Sequence, residues 1–139
     1  VGTCVEPVGP EHSLNELVEK TIIAREIEPV FSGSARRISI PGSSLEQYGM
    51  VSEASMAHIL AVVHLAMGPG ISGNCTHEPN TPGAIAGANL FWAEAGFNPR
   101  DTFEKTEASR GFDIKKCQDI FKEAEFPVLQ GSSVFFARD

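Results

Sequence analysis

The stretch CTHEPNTPGAIAGANLFWAEAGFNPRDT, residues 75–102, decides how the rest of the chain is read. It opens by setting a thiol, an imidazole and a carboxylate close together, at Cys75, His77 and Glu78. Thr81 as N-cap, with Pro82 at the first helical position, predicts a short helix running to about Ala88. Asn89 to Ala95 is an apolar run closed by Asn98-Pro99, and it predicts a strand covered on both faces that carries one acid, Glu94. A strand ending in polar residues, a short helix and a second apolar strand form the repeat with which a (β/α) barrel builds its functional rim.

Working outward, the same alternation continues. Met56, Ile59, Leu60, Val63 and Met67 fall at helical spacing and predict a helix over 52–67, ended by Gly68-Pro69-Gly70. Residues 71–77 then read as a strand. Further upstream, ARRISIP at 35–41 reads as another strand, closed by the Gly42-Ser43-Ser44 turn. Ser13-Leu14-Asn15-Glu16 is a capping-box pattern and opens a helix over 13–28 with an apolar stripe of Leu14, Leu17, Val18 and Ile22. Pro29 stops that helix, and residues 1–6 form a strand ended by Pro7 and Gly9-Pro10. Downstream, Asp113 caps a last helix with Ile114, Cys117, Phe121 and Ala124 on one face. Residues 127–139 are a C-terminal tail in which Val134-Phe135-Phe136 is expected to dock.

The predicted order is βαβαβαβα, which specifies an α/β fold with a parallel sheet and right-handed crossovers. Four such units over residues 1–126 are half of a TIM-type (β/α) barrel. A small doubly wound sheet is the other arrangement of the same elements. Neither GxGxxG nor a GKS/T loop occurs, so nothing favours a nucleotide fold.

Composition narrows the function classes. The chain has 139 residues, enough for one domain with a core, and a net charge of −7. Arg36-Arg37 and Lys115-Lys116 are its longest basic runs, too short for a nucleic-acid groove. No apolar run approaches the roughly 20 residues of a membrane span, and no secretory signal is visible. Cys4, Cys75 and Cys117 are an odd, widely spaced set, which fits a reducing cytoplasm better than a disulfide framework. Without a CxxC or CxxxCxxC, the chain holds no local motif for zinc or an iron–sulfur cluster. Val1 to Glu6 reads as the middle of a buried strand without an initiator Met, so residue 1 is expected not to be the natural start.

Three passages carry a family resemblance. GANLFWAEAG at 87–96, followed by NPRDT and then DIFKEAEF at 119–126, resembles the end of biotin-synthase-type radical S-adenosylmethionine (SAM) enzymes. The Met50–Gly68 segment is similar to the helix that opens the C-terminal region shared by biotin and thiamine synthases, here about residues 35–126. VEPVGPE at 5–11 resembles the strand-five motif whose backbone lies along the SAM adenine. The wording GPEH and HEPN is most similar to the radical SAM maturase of the [Fe]-hydrogenase guanylylpyridinol cofactor. The chain also resembles methylornithine synthase and the [FeFe]-hydrogenase maturase, and biotin synthase less closely, since that enzyme has a strand-seven arginine with no counterpart between Asn74 and His77.

The resemblance aligns the chain with strand five to helix eight of a radical SAM barrel. It implies a parent enzyme in which a [4Fe–4S] cluster cleaves SAM to a 5′-deoxyadenosyl radical, with the N-terminal half of the same enzyme as partner. The cluster's cysteine motif lies after strand one of the family, so this chain is expected to contribute the substrate side and no cluster ligands. The resemblance also implies adenine contacts at Val5, Glu6 and Val8, mostly through backbone, and at Ser39 and Ile40.

Each candidate has a plainer alternative. Val5 to Val8 can be an ordinary strand-end turn, and Ser39 can serve a local hydrogen bond. Cys75 and His77, two apart on a strand, point to one face and can line a small-molecule pocket or bind iron; Cys75 can equally be a small core residue. Glu78 belongs to the same cluster. Glu94 is a pocket acid or an exposed strand end, because a lone buried carboxylate is costly. His12, His58 and His64 are expected to be solvated, and Arg100-Asp101 to be a loop pair. A half-barrel would leave two strand edges unpaired, which makes a non-catalytic binding module or a homodimer the competing reading.

Overall fold

The computed structural model describes residues 1–93 and 112–131. Its elements alternate as β1 (Val5–Val8), α1 (Leu14–Glu26), β2 (Phe31–Arg36), a 3-10 turn (Glu46–Tyr48), α2 (Glu53–Met67), β3 (Gly73–Thr76), α3 (Thr81–Ile85), β4 (Leu90–Phe91) and α4 (Ile114–Glu123). All neighbouring strands are parallel and the sheet order is β1-β2-β3-β4, without reversal. A doubly wound sheet needs a reversal and helices on both faces. Here α1 touches α2, α2 touches α3 and α3 touches α4, so the helices among the described residues form one layer.

The core lies between that layer and the sheet. Met56, Leu60, Val63 and Met67 are the buried residues of α2, one stripe at 3.6-residue spacing. Val5 and Val8 of β1 and Ala24 of α1 join Met56, Val63 and Met67 in one cluster. Val5 and Val8 are three apart yet face the same side, because the β1–β2 register shifts between them. A second, smaller cluster joins Ala84 of α3 to Ile120 and Ala124, with Phe91 stacked on Phe121 at 4.1 Å between centroids.

Local chemistry sets the boundaries, and several differ from the sequence expectation. Ser13 caps α1 with the reciprocal Glu16 bond, as read. Its predicted stripe does not all pack: Leu14, Val18 and Ile22 are exposed, and only Ala24 is buried, with Leu17 against the core. Strand one runs on through Pro7 to Val8, since β1 pairs on one side only among the described residues and the missing proline N–H costs no ladder bond there. Strand two is FSGSAR at 31–36, not 35–41; pairing to β1 and β3 overrides the weak strand propensity of Ser, Gly and Ala. Ser39 and Ile40 therefore lie beyond the strand, with Ile40 exposed. Asn80, not Thr81, caps α3: its side-chain oxygen accepts from Gly83 N–H at 2.7 Å. Leu90 and Trp92 are partly solvent-exposed, so the fourth strand is not covered on both faces. Among the described residues, no helix is long and apolar enough to cross a membrane.

Candidate functional site

Strand alternation separates two chemistries. Val5 turns toward the helices, so Cys4 and Glu6 turn away from them. Cys75 is likewise on the face away from the described helices, where it meets Gly33 of β2. The Cys4 and Cys75 sulfurs approach to 3.4 Å, although one strand separates their own. Gly33 makes this possible: a Cβ there would sit 2.6 Å from the Cys75 sulfur and closer still to its carbonyl oxygen.

His77 completes the group. One ligand atom each from Cys4, Cys75 and His77 all lie within 4.8 Å of one another. The Glu6 carboxylate stands 3.1 Å from His77 Nδ1, and the Trp92 ring meets the imidazole edge-on at 5.4 Å. Cys75 is fully buried, Cys4 half-buried and the His77 side chain partly exposed, so the cluster opens to one side. The hydrogen bond with Cys4 holds the Cys75 thiol below its ordinary range, helped by the Trp92 indole and His77 against the effect of burial. Cys4 is pushed up, first by that same bond and then by burial. Of the two thiols, Cys75 therefore gives up its proton more readily than Cys4.

Glu78 belongs elsewhere. Its carboxylate is gripped by Arg36, with Nε donating at 2.7 and 2.6 Å and Nη2 also donating. Arg36 also donates to the Val51 carbonyl at 3.0 Å, tying the end of β2 to the start of α2. Beside it, Arg37 holds Glu11 through two bonds of 3.0 Å. His12 is not merely solvated: its Nδ1 accepts from Gly9 N–H at 3.1 Å and orders the turn after β1. His58 is exposed, and His64 is half-buried beside Gly87. Cys117 is buried in α4, as expected of a core thiol.

The structure therefore brings Glu6, Cys75 and His77 together and sends Glu78 to an ion pair. Val5 and Val8 bury their side chains in the helix-side core, leaving only backbone for a ligand. Ser39 is half-buried and Ile40 exposed beyond β2. Glu94, Arg100-Asp101 and Val134-Phe135-Phe136 lie outside the described residues. Sequence reasoning missed Cys4, Gly33, Arg36 and Trp92. Cys4 carried a usable signal, because it precedes Glu6 by two and so shares its face. A [4Fe–4S] cluster takes cysteine thiolates, and this group offers two with one imidazole, so the described residues do not fit that cluster. Compared with known proteins, the chain matches no family model, no curated sequence and no solved structure.

Proposed function

We propose that the chain is the substrate-side half of a cytoplasmic radical SAM enzyme of the biotin-synthase type, four βα units of a TIM-type barrel. The carrying observation is the convergence of Glu6, Cys75 and His77 on the face of an all-parallel, sequentially ordered sheet opposite the described helices. In a (β/α) barrel that face is the interior, and chemistry sits where the strands end. The exposed Leu14, Val18 and Ile22 of α1 support the same reading, since α1 ends the helix layer and a preceding βα unit would cover them.

On this reading Glu6, Cys75 and His77 line the pocket for a small-molecule substrate. The exposed Ile40, Ser39 and the backbone of Val5 to Val8 would take the SAM adenine. The cluster that supplies the radical would be held by the N-terminal half of the same enzyme. The GPEH and HEPN passages favour cofactor biosynthesis, namely maturation of the guanylylpyridinol cofactor of [Fe]-hydrogenase.

The test uses the product of the full reading frame, reconstituted anaerobically with iron and sulfide. Conversion of SAM to 5′-deoxyadenosine under a strong reductant is the expected result. A frame with no cysteine triad before this segment, or a reconstituted protein that forms no 5′-deoxyadenosine, overturns the proposal.

A second reading, a self-associating half-barrel module, has one observation in its favour. Among the described residues β1 and β4 each pair on one side only, and beside β4 lies a groove of about 1420 Å³ lined by Phe31, Leu90, Phe91, Phe121 and Leu129. Sedimentation decides it: a monomer at micromolar concentration removes this reading.

A further inference from the structure

We propose that Cys4, Cys75 and His77 form a binding site for one thiophilic divalent ion of the Zn²⁺ class, with a fourth position left for an exogenous ligand. The proposal does not rest on the radical SAM reading; it follows from the geometry of three side chains, one just before β1, one in β3 and one just after it.

The donor set is right for such an ion. Zn²⁺ takes thiolate at about 2.3 Å and imidazole at about 2.0 Å in a tetrahedron, which places sulfurs about 3.8 Å apart and sulfur from nitrogen about 3.6 Å. The sulfurs here stand 3.4 Å apart and the three ligand atoms lie within 4.8 Å of one another. Shifts of a few tenths of an ångström to about one ångström at side-chain ends close that difference.

The sulfur separation also suits a metal better than a disulfide. The two sulfurs stand 3.4 Å apart. A disulfide would draw them in to about 2.05 Å. An ion between them needs about 3.8 Å, the smaller change.

Two neighbours act as a built site would require. Gly33 leaves open the space between the flanking strands, which any side chain would fill. Glu6 stands 3.1 Å from His77 Nδ1, so with Nε2 as the ligand atom it is the outer-sphere carboxylate that orients a metal-bound imidazole. Two thiolates and a neutral imidazole cancel the charge of a divalent ion, and the Glu6 carboxylate beside them leaves the whole group at about −1 rather than the −3 it would carry without the ion. The exposed side of His77 gives the ion a way in and leaves the fourth position reachable.

The experiment titrates the reduced, metal-free chain with Co²⁺ and with Zn²⁺ alone. One ion per chain is expected, and Co²⁺ should show thiolate-to-metal charge-transfer absorption of a tetrahedral site. Cys4→Ser and Cys75→Ser should each weaken Zn²⁺ binding by more than about 100-fold, and Glu6→Gln by about 10-fold. Cys117→Ser should bind as the parent does. The wild-type cobalt spectrum keeps the test decisive if a variant fails to fold. No uptake at micromolar ion, a spectrum without thiolate charge transfer, or binding that survives both cysteine replacements overturns the proposal. So does a chain isolated with a Cys4–Cys75 disulfide that takes up no ion after reduction.

Discussion

The Arg36 guanidinium grips the Glu78 carboxylate through Nε and Nη2, and so ties the end of β2 to the turn that follows β3. Both side chains are largely buried, at 11% and 6% exposure. The same Arg36 reaches the Val51 carbonyl at the entrance to α2. One cation thereby fixes the mutual position of two strand ends and a helix start, and it anchors the residue that follows His77 in the chain.

Removing one partner should be far worse than removing both. Arg36→Met leaves a buried carboxylate without its cation, and breaking such a pair costs about 3–5 kcal/mol. Replacing both, as Arg36→Met with Glu78→Leu, removes the unpaired charge and should recover most of that loss. Urea unfolding of the single and double variants measures it. Equal destabilisation in both would show that the lost Val51 contact, not the ion pair, dominates.

The neighbouring pair makes a pH prediction. Arg37, by its two hydrogen bonds, holds Glu11 down to about 2 from an ordinary 4.5. A carboxylate with a depressed folded-state value adds stability that is complete above its unfolded value and is lost as pH falls through the folded one. The contribution of Glu11 should therefore fade between pH 4.5 and about 2. Glu16, also lowered by its capping bonds to Ser13, acts in the same direction, so the informative quantity is a difference. The gap in Tm between the parent and Glu11→Gln should be constant from neutral pH to about 5 and close below it. A gap that does not change with pH removes the ionic explanation.

Helix α2 gives a contrast within one element. Leu60 is 2% exposed between the helix layer and the sheet, whereas Leu65 is 81% exposed. Leu60→Ala should cost about 2–5 kcal/mol through lost burial and an unfilled cavity. Leu65→Ala, with no cavity to leave, should stay within about 0.5 kcal/mol. Thermal or urea unfolding separates them, and comparable losses would mean that the face of α2 assigned to the core is wrong.

What the sequence made legible follows from how local each signal is. The α2 stripe, the Ser13 and Asp113 caps and the alternation of strand and helix rest on neighbours within a few residues, and they stand in the structure. Strand two was misplaced because Phe31 to Arg36 is built of small residues whose strand state comes from pairing on both sides. The α1 stripe looked like a core face, but periodicity does not say whether anything covers it. Cys75 and His77 could be paired on paper because they are two apart. Spacing puts Cys4 on the face of Glu6, but its approach to Cys75 depends on a glycine in an intervening strand, which no local pattern shows. Glu78 looked like part of their cluster by adjacency alone, while the strand end turns its carboxylate to Arg36.

That glycine supplies the sharpest test of the site. Gly33→Ala would place a methyl carbon 2.6 Å from the Cys75 sulfur and nearer still to its carbonyl oxygen, in the middle of a central strand. The obstacle is partly backbone, so a side-chain rotation alone does not relieve it. Overpacking of this kind costs about 1–3 kcal/mol or more. The cost should be accompanied by separation of Cys4 from Cys75, because the new methyl occupies the gap through which they meet. Urea unfolding reads the first effect. The second is read by bringing the folded variant to equilibrium with a reagent that bridges two nearby thiols, which should link Cys4 to Cys75 in the parent and not in Gly33→Ala. A variant as stable as the parent, with its two thiols still bridged, would mean that the open space at Gly33 is not what lets the two sulfurs meet.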